Sequence, residues 1–247
     1  VLAQLDVRRV RDVHVGAVVE SDMQAVLKDM DEREAENRFC LGDLVGYGTF
    51  PNEVTQAIRE SGVPTIMGNY DQGIGESSDE CGCAYRDDIS KALGKRSIAW
   101  TNQHTTPENK TFLRSLVKDI PLQLGELKVL LVHGSPRKIN EYLYEDRPES
   151  SLERLMDQAG VDVLVCGHTH IPYQRVLPSG RHVINAGSVG KPKDNDPRAC
   201  YIILEVKGRE LNVRFVRVEY DIEQTAAAIE ASEMPDEYAG MLRAGAG

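Results

Sequence analysis

The sequence predicts an α/β layered fold, on three observations. Helical patterns alternate with short β-branched runs over most of the 247 residues, the arrangement expected when helices pack on a sheet. Four apolar runs end alike, with a glycine beside Asp, Asn or His: "FCLGD", "TIMGN", "LLVHG" and "LVCGH". The last three strand-like runs follow one another without helices, which reads as antiparallel pairing and implies that two sheets meet.

In chain order, periodicity predicts a helix over 21–36, a strand over 38–41, a proline-started helix over 51–60, and a strand over 65–67. Helices over 88–104 and 107–116 follow. The second has a defined start, with Thr106 as N-cap, Pro107 in the first turn and Glu108 at the positive dipole end. A strand over 128–132, a helix over 151–158 stopped by the glycine of "QAG" at 158–160, and a strand over 161–166 come next. Strands over 182–185, 201–206 and 211–219 and a helix over 222–232 complete the pattern. We expect residues 1–247 to form a single domain. Residues 72–127 read as a mostly helical insertion between two polar strand ends, a candidate lid that would set specificity.

The formal net charge of −10 argues against stable binding of nucleic acid or of an anionic membrane, because both would be repelled, whereas a metal cation would be attracted. No apolar run approaches the roughly 20 residues of a spanning helix. The segment "VLAQLDVRRVR" lacks a signal peptide's apolar stretch and cleavage site, so a cytoplasmic location is expected. Of the five cysteines, "CGC" at 81–83 is the one pattern that could ligate a metal, form a strained disulfide or simply shape a loop; no second Cys/His pair stands at zinc-site spacing.

Five of the six histidines stand beside turn signals, in "DVH" at 12–14, "VHGSP" at 132–136, "GHTH" at 167–170 and at His182. In an α/β sheet the carboxyl ends of strands converge on a binding crevice, which would gather Asp43, Asn69, His133 and His168. Carboxylate and amide oxygens with imidazoles suit divalent first-row metals. Two such ions roughly 3.5–4 Å apart, sharing a carboxylate, form a clamp for phosphate hydrolysis, and Asp43 is placed to bridge. The neighbouring glycines would let the backbone turn sharply and admit substrate oxygens. Taken singly, each ending is also ordinary turn chemistry; the set of four is what points to a site.

Along the chain "DVH", "GDLVGYG", "GNYD", "VHGSP" and "GHTH" resemble the five ordered blocks of the calcineurin-like metallophosphoesterase family, D-x-H, G-D, G-N-H-[DE], H and G-H-x-H. The resemblance covers roughly residues 12–206. It is strongest to the small bacterial and archaeal phosphodiesterase-like branch related to diadenosine tetraphosphatase-like proteins. It implies a four-layer α/β/β/α sandwich of two mixed sheets flanked by helices. Carried over by position, Asp12, His14, Asp43 and His170 would hold one divalent ion, with Asp43, Asn69, His133 and His168 around a second. Manganese is the expected metal, and iron, nickel or zinc would fit the same donors. The implied reaction is hydrolysis of phosphodiester or nucleotide-type phosphate esters by attack of a metal-bound hydroxide, with Asp43, Asn69 and Tyr70 as the catalytic residues.

"NAGSVGKPKD" at 185–194 matches the family's glycine-serine stretch, so Gly187, Ser188 and Lys191 are candidate substrate-binding residues; Lys191 and Lys193 would otherwise be solvated lysines. Two positions depart from the family pattern. Tyr70 replaces the histidine of the third block, and a phenol of pKa about 10 is a poorer acid but still a hydrogen-bond donor. That favours diesters over monoesters with poor leaving groups, or else a structural role for Tyr70. Arg8, Arg9 and Arg11 interrupt the apolar strand that should precede "DVH", where a buried unpaired arginine would be costly, so an irregular first strand is expected. The contrasting reading is a catalytically weak or inactive scaffold of this fold that binds a protein partner.

Overall fold

A computed structural model describes residues 10–13, 20–33 and 37–247. Its elements are β1 (Val10–Val13), α1 (Glu20–Glu32), β2 (Arg38–Cys40), α2 (Pro51–Ser61), α3 (Asn69–Gly75), α4 (Asp88–His104), α5 (Pro107–Ser115), β3 (Asp119–Leu124), β4 (Leu127–Val132) and α6 (Glu149–Ala159). They continue with β5 (Val163–Cys166), β6 (Tyr173–Val176), β7 (His182–Asn185), β8 (Ala199–Lys207), β9 (Glu210–Val218), α7 (Ile222–Glu230) and α8 (Glu237–Ala244).

Among the described residues the strands form a four-stranded sheet in the order β2-β1-β8-β9 and a five-stranded mixed sheet in the order β3-β4-β5-β7-β6. β1 runs parallel to β2, and β4, β5 and β7 run parallel to one another. The segments that follow β2, β4 and β5 therefore leave their sheets from carboxyl ends, where crevices form in such folds. The trailing strands do not form one antiparallel set: β8 and β9 pair antiparallel, but β7 joins the other sheet, parallel to β5 and antiparallel to β6.

Strand periodicity explains how the layers are held. Along β8, Ile202 and Leu204 enter a buried cluster with Val129, Leu131, Val163 and Val165 of the five-stranded sheet, while Tyr201 and Ile203 face a second cluster with Met23, Met30, Val54 and Ile58 of α1 and α2. β5 repeats the device: Val163 and Val165 face the first cluster, and Leu164 and Cys166 face Leu152, Leu155 and Met156 of α6. A strand buried on both faces must be apolar throughout, which is why these runs do not alternate.

Local chemistry sets the helix ends. Pro51 starts α2, and Gly62 closes it in the left-handed region at φ 65°. Thr106 accepts the N–H of Asn109 at 3.3 Å to start α5, as expected. Gly160, at φ 67°, stops α6 where "QAG" predicts. Residues 65–67 form only isolated bridges to Cys40 and Val117 rather than a strand. The sequence reading missed α3, β3, β6 and α8, all short or rich in polar residues, whereas the expected first strand before "DVH" is present as the four-residue β1.

Candidate metal centre

Three strand-exit turns meet at one buried point. Asp43, His133 and His168 each offer a ligand atom within 4.8 Å of one another, and all three are buried. Asn69 completes the group, its Oδ1 standing 3.0 Å from His133 Nε2, while Asp43 Oδ2 stands 3.2 Å from the same nitrogen. The structure thus brings together the four residues that the strand endings predict.

Hydrogen bonds orient each donor. His133 Nδ1 lies 2.7 Å from the Leu41 carbonyl, which can only accept, so Nδ1 carries the proton and Nε2 faces the oxygens of Asp43 and Asn69. Asn69 donates its Nδ2 to the Cys81 carbonyl at 2.7 Å and to Cys83 Sγ at 3.3 Å, which turns Oδ1 toward the site. His170 Nδ1 is fixed in the same manner on the Lys191 carbonyl at 2.7 Å. A carboxylate oxygen, an amide oxygen and an imidazole nitrogen pointed at one another repel unless a cation lies among them, so the residues fit a divalent metal.

The ionisation states agree. Burial opposes the charge of His133, but the facing Asp43 carboxylate outweighs it and raises the imidazole pKa. Burial likewise favours neutral Asp43, yet His133 and His168 hold its carboxyl below the usual range.

The backbone is unusual here. Asp43, Tyr47, His168 and His170 lie in the left-handed region, with φ of 57°, 60°, 64° and 62°, at about 1–3 kcal/mol each for a non-glycine residue. Gly42, at φ 83°, permits the approach: a Cβ on it would fall 2.4 Å from the Gly68 nitrogen. The turns after β2 and before α3 can therefore touch backbone to backbone.

Other candidates fall nearby. Asp12 lies on β1 opposite Phe39 of β2 and Ile202 of β8, at the level of backbone pairing, and His14 lies outside the described residues. Tyr70 is buried beside the cluster, its ring 4.7 Å from that of Tyr47. Burial raises its pKa well above 10, so it stays a neutral phenol. Ser188 is buried, with Oγ accepting the Lys191 N–H at 3.0 Å, and Gly187 takes φ 80° against Cys200. Lys191 is only 6% exposed rather than solvated, and burial followed by nearby Lys193 pushes its pKa down to about 7. Cys81 and Cys83 are free thiols; they lie outside the three-residue ligand cluster among the described residues and support Asn69 instead.

Several contributors escaped the sequence reading. Asp71 accepts the N–H groups of Asp43, Leu44 and Gly68. Asn185 holds the "GHTH" turn through the Gly167 carbonyl at 2.6 Å and Thr169 Oγ1 at 3.0 Å. Tyr142 lays its ring 4.1 Å from that of His168. Asp71 and Asn185 sit inside quoted motifs, and their position at a strand or turn end was the available signal; Tyr142 had none.

The chain belongs to the calcineurin-like phosphoesterases: the description "Calcineurin-like phosphoesterase superfamily domain" matches residues 6–209. It is 32% identical over 231 residues to an uncharacterized protein of Methanocaldococcus jannaschii, covering 87% of this chain and 88% of that one. A hypothetical protein of Pyrococcus horikoshii superimposes with a TM-score of 0.80 at 25% identity, over 95% of this chain and 97% of the other. A metallophosphoesterase of Sphaerobacter thermophilus does so with a TM-score of 0.74 at 27% identity, over 96% and 99%. The mixed α/β fold with a five-stranded mixed sheet flanked by helices is thus the metallophosphoesterase fold, and the family implies hydrolase chemistry with divalent metals. No helix among the described residues is long and apolar enough to cross a membrane.

Proposed function

We propose that this chain is a metal-dependent phosphoesterase acting on phosphodiester or nucleotide-type phosphate esters, built as a single four-layer α/β/β/α domain. One observation carries the reading: Asp43, Asn69 and His133 turn two oxygens and a nitrogen onto one point beside His168. Three stacked apolar clusters, helix against sheet, sheet against sheet and sheet against helix, support the layering. Residues 72–127 would be the specificity-setting insertion, and the location cytoplasmic.

In this reading Asp43, Asn69, His133 and His168 would hold one divalent ion, and Asp12, His14 and His170, together with Asp43, would hold a second. Manganese is proposed, with iron, nickel or zinc as substitutes. Bound divalent cations supply Lewis acidity, neutralising phosphoryl charge and lowering the pKa of water. The chain's own part is positioning. Asn69 keeps its oxygen on the site through Cys81, the ring of Tyr142 screens one side of His168, and Tyr70 supplies a neutral O–H rather than an acid. Gly187 and Ser188 shape the turn that delivers Lys191 to the substrate's phosphate.

A scaffold that only bound a partner would have no use for three left-handed donor residues, so the enzyme reading is preferred over that alternative. The test is hydrolysis of bis(p-nitrophenyl) phosphate with added manganese by the wild type and by Asp43→Asn. We expect a loss of at least about a hundredfold; equal rates would refute the mechanism.

A further inference from the structure

Beside the ligand cluster lies a cavity of about 150 Å³, walled by five tyrosines (47, 85, 142, 144 and 238) together with Lys191 and Lys193. It adjoins the metal centre: Thr169, between His168 and His170, and Tyr142, whose ring lies 4.1 Å from that of His168, form part of its wall. Two features of this wall call for a ligand.

The first is cationic. Lys191 Nζ meets the Met241 sulfur at 3.8 Å and the rings of Tyr47 and Tyr238 at 5.0 and 5.7 Å, but no carboxylate among the described residues pairs with it. Burying an ammonium without an anion is costly, and thioether and ring faces offset little of it. Half-buried Lys193 lies in the same wall, and Arg86 stands exposed at its edge. Gly247 packs its backbone against Lys191 and Lys193 in the same wall, but no side-chain carboxylate among the described residues lines it; in a chain of net charge −10, three cations gathered so mark an anion's place.

The second is aromatic. Tyr142 and Tyr144 are stacked with ring centroids 5.6 Å apart and planes 13° from parallel, and Tyr144 is 44% exposed. Rings so close leave no slot for a third between them, but the exposed ring offers a flat face at the cavity mouth. Such a face takes a planar aromatic group at little entropic cost, because a tyrosine has few rotamers to lose. The phenol of Tyr142 accepts the Ala84 N–H at 3.3 Å, which fixes the platform to the opposite loop.

We propose that this cavity is a nucleoside-phosphate subsite: Lys191 and Lys193 take phosphate oxygens next to the ester to be cleaved, and Tyr142 with Tyr144 stacks the base. The assignment rests on the phosphoesterase reading for the identity of the neighbouring reaction, but not for binding itself. It narrows the substrate to phosphate esters carrying an aromatic ring system and a second negative charge, and it makes Tyr144 a specificity residue.

The test is calorimetric titration of the full chain, with and without manganese, against three probes: adenosine 5′-(α,β-methylene)diphosphate, methylenediphosphonate and adenosine. We expect the first to bind at least tenfold more tightly than either of the others in both conditions. Tyr144→Leu should bring its affinity down to that of methylenediphosphonate, and Lys193→Met should weaken both phosphonates with unchanged melting temperature. Equal affinity for methylenediphosphonate and the nucleotide would leave a bare anion site, equal affinity for adenosine a merely apolar one, and either overturns the proposal, as does no binding of any probe. Nucleotide binding without turnover of bis(p-nitrophenyl) phosphate would sink the phosphoesterase reading and leave the subsite standing; turnover without nucleotide binding would do the reverse.

Discussion

The carboxylate of Asp71 accepts the backbone N–H of Asp43 at 2.7 Å, and the same group takes the N–H groups of Leu44 and Gly68, each at 2.8 Å. One buried side chain thus ties the turn after β2 to the start of α3 and holds Asp43 in its left-handed backbone. Tyr70 N–H in turn donates to Asp43 Oδ1 at 2.9 Å, fixing the carboxylate's rotation. Asp71 touches no proposed reacting atom, so it is a positioning residue. Asp71→Asn places an N–H₂ against backbone donors and should cost about 1–3 kcal/mol of stability. Because ligand-supporting residues typically govern metal affinity by about 10–100-fold, manganese titration should show a loss in that range. An unchanged metal affinity in a folded variant would remove Asp71 from this role.

Gly68→Ala tests the close approach itself. The added Cβ would lie 2.1 Å from Asp43 Oδ1 and 2.3 Å from Asp43 N, and the second atom is backbone that cannot swing aside. Destabilisation of about 1–3 kcal/mol is expected from the overpacking, together with weaker metal uptake measured by mass spectrometry. Gly240→Ala, whose Cβ would meet nothing within 4 Å inside helix α8, is the control: it should leave metal uptake unchanged and stabilise the fold by about 0.5–1 kcal/mol.

Asn185 closes the opposite side of the centre. Its amide donates to Gly167 and Thr169, and its Oδ1 accepts the Gly187 N–H at 3.0 Å. One residue at the end of β7 therefore holds the turn that carries His168 and His170 and begins the turn that carries Lys191. Asn185→Ala leaves buried backbone groups unsatisfied, at about 1–3 kcal/mol. In steady-state assays we expect kcat to fall at least tenfold and the manganese requirement to rise. A variant with wild-type metal dependence would show that the left-handed turn holds itself.

The elements legible in the sequence were those with strong periodicity or marked ends. The helix over 88–104 is reproduced to the residue, and Pro51, Thr106 and Gly160 mark helix ends as expected. The centre was legible for a different reason: four apolar runs end in the same glycine-and-donor turn, so Asp43, Asn69, His133 and His168 could be joined without knowing the strand order, although β2 lies in one sheet and β4 and β5 in the other. The partition of strands was not legible, because β7 and β8 are both apolar runs and nothing local records that one pairs with β5 and the other with β1. The aromatic wall was equally hidden. Tyr47, Tyr142 and Tyr238 lie in three distant segments, the last of them within α8, whose "EYAGMLRA" carries only a short apolar face.

Lys191 supplies a pH signature. Its ammonium is buried, and burial, then the charge of Lys193, lowers its pKa to about 7 from the usual 10.5. For a base whose folded-state pKa is depressed, the folded state prefers the neutral form, so stability is penalised fully below the folded value and relieved as pH rises toward the unfolded one. In chelator-treated protein, urea midpoints should therefore rise between about pH 7 and pH 10 relative to those of Lys191→Met, which keeps a stem of similar length without the charge. The wild-type and variant curves should converge at the alkaline end and diverge toward neutrality, the variant being the more stable there. Parallel curves across this window would mean that the Lys191 ammonium is already compensated in the folded chain, and the anion it is argued to await would lose its motive.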